Sequence, residues 1–354
     1  MKSLLKIFMV ILLFGVPLGA SATTRYVSAY GAGQYTTINA AYSASVSGDT
    51  ILIGPGNYSE ADMYSQRRLT WLGAGWDQSK VAFSGQFTQS TNSGGTVLEG
   101  LRIETVSGIR IGNGIDSVTY RRCFLKSTGT YGSALQANGG RVYIEDCILV
   151  EAYSTATVQT PNAAALFRDC IFVFAGTTTS ACLWSSTGLA GTLEIYNCVF
   201  LNYGQIFSLA NGSQPVIAVN NLFYDWRSSP TFGTYPGTST FDYNASQTIT
   251  APGTNTISIT SNPFVNYNET NNFQEGTSDL HLVVGSGLID TGHPSLVDVD
   301  STRSDFGVYG GPHPLVDNGI PAYPWVVNLN LTPNLVGQGT DVNVTAIGRI
   351  GPQY

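Results

Sequence analysis

One short phrase is written five times between Tyr120 and Phe223: Tyr120-Arg-Arg-Cys123-Phe, Ile144-Glu-Asp-Cys147-Ile, Phe167-Arg-Asp-Cys170-Ile, Ile195-Tyr-Asn-Cys198-Val and Val219-Asn-Asn-Leu222-Phe. Its fourth position recurs at spacings of 24, 23, 28 and 24 residues. A second phrase precedes it, Gly108-Ile-Arg-Ile111, Ser133-Ala-Leu135-Gln and Ala156-Thr-Val158-Gln, and Ile111, Leu135 and Val158 each stand 12 residues before a cysteine. Periods of this size mark stacked supersecondary units, none of which can bury its apolar face alone. In Val142-Tyr-Ile144-Glu-Asp-Cys147-Ile-Leu149 the apolar residues alternate around a polar two-residue corner, which spells strand, corner, strand. With no helical period long enough for a crossover, the pattern predicts an all-β chain, a right-handed parallel β-helix.

Met1 to Ala22 stands apart from the fold. Lys2 and Lys6 give a basic start, Ile7 to Leu18 is apolar, and Ala20-Ser-Ala22 has the small residues a signal peptidase requires. The segment predicts cleavage after Ala22 and a secreted or periplasmic protein. No second apolar run approaches the roughly 18 residues that a spanning helix needs, so no membrane span is expected. Charged residues make up 11% of the chain and the net charge is −7, which leaves no basic footprint for nucleic acid. Low charge and the abundance of Ser, Thr and Asn beside 11% aromatic residues suit a surface that meets a neutral polymer, a polysaccharide or cell-surface glycan, through hydrogen bonds and ring stacking.

Four of the five cysteines occupy the same repeat position. Side chains at equivalent positions of parallel strands, about 4.8 Å apart, point the same way and rarely meet disulfide torsions. A ladder of buried thiols is therefore expected, with Cys182 on the opposite face of its strand from Leu183.

Before the ladder the chain reads Arg25-Tyr-Val-Ser, Tyr35-Thr-Thr-Ile38-Asn-Ala-Ala-Tyr42, Gly48-Asp-Thr-Ile-Leu-Ile53 and Gly54-Pro-Gly56-Asn-Tyr58-Ser-Glu60. This order of short strand, amphipathic helix, Gly-Asp-Thr-Ile and Pro-Gly-x-Tyr-x-Glu resembles the N-terminal cap of the pectate lyase-like superfamily. Farther on, Asn262-Pro-Phe-Val265, Ser278-Asp-Leu-His-Leu282 and Asp305-Phe-Gly-Val-Tyr-Gly310 are similar to the tail of many secreted bacterial β-helix repeat proteins. The expected organisation is a β-helix over residues 23–313, with a cap at 24–60 and a closing segment at 262–313. A linker and a C-terminal strand pair then follow at 314–354. Gln86–Gly95 reads as a flanking loop, and Thr234–Thr256 as an irregular excursion containing one more coil.

Two polar columns accompany the repeats. Arg122, Asp146, Asp169, Asn197 and Asn221 stand at the corner; they read either as an acidic pair, Asp146 with Asp169, or as a ladder of short side chains bonding the next turn's backbone, and the ladder is preferred. Arg121, Glu145 and Arg168 alternate in sign, as cross-strand pairing selects.

The superfamily resemblance implies a substrate groove along outward residues of the first parallel sheet. With Ile111, Leu135, Val158 and Leu183 taken as inward, the residues after them are Gly112, Gln136, Gln159 and Trp184; those before are Arg110, Ala134, Thr157 and Cys182. Gln136, Gln159 and Trp184 on successive coils can grip a sugar, amides to hydroxyls and indole to ring face. Arg110 is the one candidate base for a lyase. Glycoside hydrolysis needs two carboxylates about 5 to 9.5 Å apart, and this stripe has none. The three histidines, His281, His293 and His313, lie far along the chain from Cys182, so a catalytic thiol is not favoured. Asp298, Asp300 and Asp305 are the acidic cluster whose spacing admits calcium; otherwise no cofactor is expected. Two classes follow. The preferred one is a non-catalytic exported surface or matrix protein that binds glycans along the solenoid. The alternative is a secreted polysaccharide lyase or glycoside hydrolase.

Overall fold

The computed structural model describes residues 22–31, 33–130, 132–153, 156–160, 163–176, 181–185, 191–210, 215–332, 339 and 341–351. Residues 1–21, nearly all of the stretch read above as an export signal, and residues 333–338 lie outside them. Among the described residues no helix is long and apolar enough to cross a membrane.

The chain winds as an all-β parallel solenoid of three sheets holding ten, ten and eight strands. One coil shows how each turn is built. Arg141–Glu145 runs in the first sheet, Asp146 turns the corner, Ile148–Glu151 runs in the second, and Ala156–Gln159 in the third. The corner turns on a single residue in the left-handed region: φ is 52° at Arg122, 54° at Asp146 and at Asp169, 51° at Asn197 and 60° at Asn220. Asn and Asp tolerate this conformation best among residues bearing a side chain. One coil earlier the position is Gly100, with φ 67°.

Strand pairing fixes the register. Phe124, Ile148, Ile171, Val199 and Leu222 are successive partners in the second sheet. Cys123, Cys147, Cys170 and Cys198 therefore stack, and all are free and fully buried. The fifth phrase is out of phase by one: Leu222 pairs with Val199, so Asn221 takes the cysteine position and Asn220 the corner. The ladder continues there in amide form. Asn221 Oδ1 accepts from the Cys198 N–H at 2.9 Å, and Asn244 Oδ1 from the Asn221 N–H at 3.0 Å. Asn221 Nδ2 donates to the Ile195 carbonyl and Asn244 Nδ2 to that of Ala218. Buried amides are retained here because every polar atom finds a partner.

Inside the coil, Phe172, Phe200 and Phe223 stack with centroids 4.6 and 4.8 Å apart, the spacing of the strands that carry them. The helix Ile38–Ala44 starts at Thr37, whose side chain accepts from the Ala40 N–H, and it places Ile38 and Ala41 in this core. Within the stretch read as a flanking loop, Phe87–Gln89 is a strand of the third sheet. Thr240–Asp242 and Ala245–Gln247 are strands inside the Thr234–Thr256 excursion.

Four strands of the second sheet, Ile148–Glu151, Ile171–Phe174, Val199–Leu201 and Leu222–Tyr224, are buried on both faces. Ile148, Val150, Ile171, Val173, Val199, Leu201 and Leu222 point away from the solenoid axis and pack against Phe264, Leu280, Leu288, Phe306 and Val308 of the closing segment. Continuous apolar strands such as Ile171-Phe-Val-Phe174 follow from this double burial. The segment is pinned by polar contacts to the corner column as well. Asn197 Nδ2 donates to Ser304 Oγ and to the Asp305 carbonyl, and Asn220 Oδ1 accepts from the His293 N–H at 2.7 Å. Trp325–Thr332 and Asn343–Arg349 form an antiparallel pair, tethered to the solenoid by Arg349 Nη1 on Asp77 Oδ1 at 2.7 Å.

Candidate functional site

The third sheet carries one continuous outward column: Tyr64, Thr88, Arg110, Gln136, Gln159, Trp184, Ser208 and Thr234 are direct partners on eight successive strands. None is fully buried; Tyr64 and Thr234 are exposed and the six between them half-buried. The pairing corrects the sequence register at one strand. Arg110 pairs with Gln136 and Ile111 with Ala137. Arg110 thus belongs in line with Gln136, Gln159 and Trp184, and Gly112 does not. The constant 12-residue offset misled here because Arg110 precedes Gln136 by 26 residues while Gln136 precedes Gln159 by 23; the difference lies in the connection, not the strand.

The column sets hydrogen-bonding groups between two aromatic ones, Tyr64 and Trp184, with one residue per coil at about 4.8 Å. Arg110 presents a guanidinium whose Nε is buried without a protein partner. Gln136 Nε2 reaches Asn138 Oδ1 at 3.4 Å, which orients its amide. Trp184 supplies an aromatic face and Tyr64 a second at the far end. No carboxylate and no imidazole stand on this column.

Cys182 is not outward. It is fully buried beside Thr157 and Tyr203, the latter two sharing a 2.6 Å hydrogen bond. Burial drives its thiol well above the usual range, although the Tyr203 hydroxyl bonds to it. A thiol so placed is neither ionised nor reachable.

Asp298, Asp300 and Asp305 serve the closing turn. Asp298 accepts the N–H groups of Asp305 and Gly311, Asp305 that of Asp290, and Asp300 that of Thr302. Among the described residues no group of three or more His, Cys, Asp or Glu is arranged to hold a metal ion. Burial, with Asp298 nearby, pushes the Asp305 carboxyl up to about 6.

At the corner Asn197 and Asn220 bond the closing segment; the backbone-bonding ladder of Asn221 and Asn244 stands one position on, in the cysteine column. Asp146 and Asp169 do not join it: Asp146 Oδ1 and Asp169 Oδ2 are buried with no hydrogen-bond partner. Burial pushes Asp146 up to about 7 despite Arg122 beside it, and burial, with Asp146 nearby, raises the Asp169 carboxyl well above its usual range. The Arg121, Glu145, Arg168 column pairs as its signs suggest. Arg121 bonds Glu145 Oε2 at 3.0 Å and Arg168 bonds Glu145 Oε1.

No family model and no curated protein matches the chain. Among solved structures it is similar to a pectin methylesterase from carrot, at 15% identity and TM-score 0.43 over 67% of this chain and 88% of that one. A pectin methylesterase from Aspergillus niger is 15% identical, at TM-score 0.43 over 68% and 82%. A pectate lyase is 14% identical, at TM-score 0.33 over 82% and 96%. The strand pairing itself establishes the architecture: the chain is an all-β parallel solenoid, similar in its winding to pectin methylesterase and pectate lyase.

Proposed function

We propose that this protein is exported and engages an extended polysaccharide along the outer column of the third sheet. The observation that carries the reading is the strand register that sets Arg110, Gln136, Gln159 and Trp184 in one line. A glycan lying along the solenoid axis meets one of these groups per coil. The amides of Gln136 and Gln159 suit hydroxyls, the Trp184 indole suits the apolar face of a pyranose, and the Arg110 guanidinium suits a uronate carboxylate. An acidic plant-type or microbial polymer is thereby favoured over a neutral one.

A second reading keeps the polymer and adds catalysis. Its support is the naming of the similar structures, pectin methylesterase and pectate lyase, both of which act on pectic polymers. On this face Arg110 is the group able to serve as base in a lyase reaction. The missing carboxylates place glycoside hydrolysis behind it. Binding without turnover is the preferred reading. The test is to pass the mature protein over immobilised pectin, polygalacturonate, alginate and a glycosaminoglycan while assaying each for new reducing ends, unsaturated ends and released methanol. Retention without release supports the binding reading, release of unsaturated ends or methanol supports the enzymatic one, and neither retention nor release removes both.

A further inference from the structure

On the corner between the first and second sheets, away from the third, lies a cleft of about 310 Å³ lined by Arg121, Arg122, Glu145, Asp146, Arg168 and His313. Several of its polar atoms are buried and unused. Asp146 is 6% exposed and its Oδ1 has no partner; Arg122 is 8% exposed and its Nε has none; the Nε of Arg168 has none either. The ion pairs that Arg122 makes are long, 3.6 Å to Glu99 and 3.8 Å to Asp146. Buried polar groups are normally satisfied, so three arginines lining an open cleft, two of them with donors left unfilled behind it, mark a place for an acceptor from outside. Guanidinium groups in such a fork match the oxygens of carboxylate, sulfate or phosphate.

We propose that this cleft binds a small oxyanion between the guanidinium groups of Arg121, Arg122 and Arg168, and that Asp146 takes up a proton as the anion enters. Charge balance supports the coupling. The three arginines face Glu99, Glu145 and Asp146, so the cluster is neutral when all are ionised and carries one positive charge when Asp146 is protonated. His313 adds none at neutral pH, because burial and the neighbouring arginines hold its imidazole below its usual range. Asp169 does not line the cleft, and burial, which raises its carboxyl well above the usual range, disfavours its charged form. Glu145 stays ionised: burial opposes this, but the Arg121 hydrogen bond and the Arg168 charge hold its carboxyl down. Asp146 is thus the group whose proton decides whether the cleft attracts an anion. Once protonated, its O–H can donate to the bound oxygen. This site is independent of the polysaccharide column.

Calorimetric titration of the full chain with sulfate, inorganic phosphate and monomeric galacturonate tests it, at low ionic strength and at about pH 6 and about pH 8, where sulfate and galacturonate do not themselves titrate. The expected result is saturable binding of at least one probe that weakens toward alkaline pH, by at most about tenfold per pH unit for one coupled proton. The tightest probe identifies the source, galacturonate pointing to an acidic sugar and phosphate or sulfate to a free inorganic anion. Arg168→Gln, or Arg121→Gln if the first does not keep the native circular dichroism, is expected to weaken binding at least tenfold. Asp146→Asn is expected to retain binding and lose its pH dependence. No saturable heat with any probe, unchanged affinity in the arginine variants, or an unchanged pH slope in Asp146→Asn would each overturn the proposal.

Discussion

Asp146 Oδ2 lies 3.8 Å from Arg122 Nε across one turn of the solenoid, with both residues holding a left-handed corner and both almost fully buried. The pair is too long for a hydrogen bond. Opposite charges set side by side without one leave the desolvation of both groups largely uncompensated.

A pH dependence of stability follows, and its sign is fixed by the direction of the shift. The folded carboxyl of Asp146 sits near 7, above its unfolded value of 3.8, so between those values the native state holds the proton more tightly than the unfolded chain. Stability is fullest below the unfolded value and is lost as pH rises toward 7, by about 4 kcal/mol across the window. Asp146→Asn removes this loss. Thermal unfolding at about pH 8 is expected to show the variant several degrees more stable than the parent, with the difference shrinking toward pH 4. Equal melting temperatures at both pH values would contradict it.

The asparagine ladder should be the most sensitive polar feature of the interior. Asn221→Ala leaves the Cys198 N–H and the Ile195 carbonyl without their partners, each an unsatisfied buried group worth about 1–3 kcal/mol. Chemical denaturation is expected to show a loss of about 3 kcal/mol or more. Cys147→Ala, three coils away in the same column, removes a small thiol whose sulfur is only a weak acceptor for the Cys123 N–H, and is expected to cost less, about 1–2 kcal/mol.

Phe200 is sandwiched between Phe172 and Phe223. Its truncation to Ala opens a cavity in two contacts at once, at a cost of about 3–5 kcal/mol. Because a solenoid is stabilised between neighbours, protection from hydrogen exchange should fall first in the coils carrying Phe172 and Phe223 and least near Ile51.

The five thiols give a chemical check. All are free, fully buried and, at Cys147, Cys170 and Cys182, raised by burial well above the usual thiol range. A thiol reagent should label none in the native protein and all five after denaturation without reductant. Fast labelling of Cys182 in the native state would reopen it as a nucleophile.

What could be read in the sequence was whatever repeats within one coil. The alternating Arg121, Glu145, Arg168 column and the stripe of Gln136, Gln159 and Trp184 come from strands, whose period of two is rigid, and the cysteine ladder from the residue directly before a strand of the second sheet. Misplacements arose where connections change length. Arg110 belongs two residues away from its apparent phase, and Asn221 rather than Leu222 follows Cys198. Burial by distant chain was not legible either. The apolar outer residues of the second sheet announce a covering, but only the fold shows that residues 264–308 supply it. One ladder at the corner is the sequence expectation; instead the corner Asn197 and Asn220 bond the closing segment and the backbone-bonding amides stand one position on, at Asn221 and Asn244. Asp146 makes no such bond because an ionisable carboxyl has no amide hydrogen with which to complete the pattern.

Where a sugar polymer meets this solenoid is tested most directly by a crystal structure of the mature protein with an acidic oligosaccharide. Sugar rings are expected along the third sheet, with a carboxylate at Arg110, hydroxyls at Gln136 and Gln159, and a ring face against Trp184. Ordered sugar on another face, with that column bare, would contradict it.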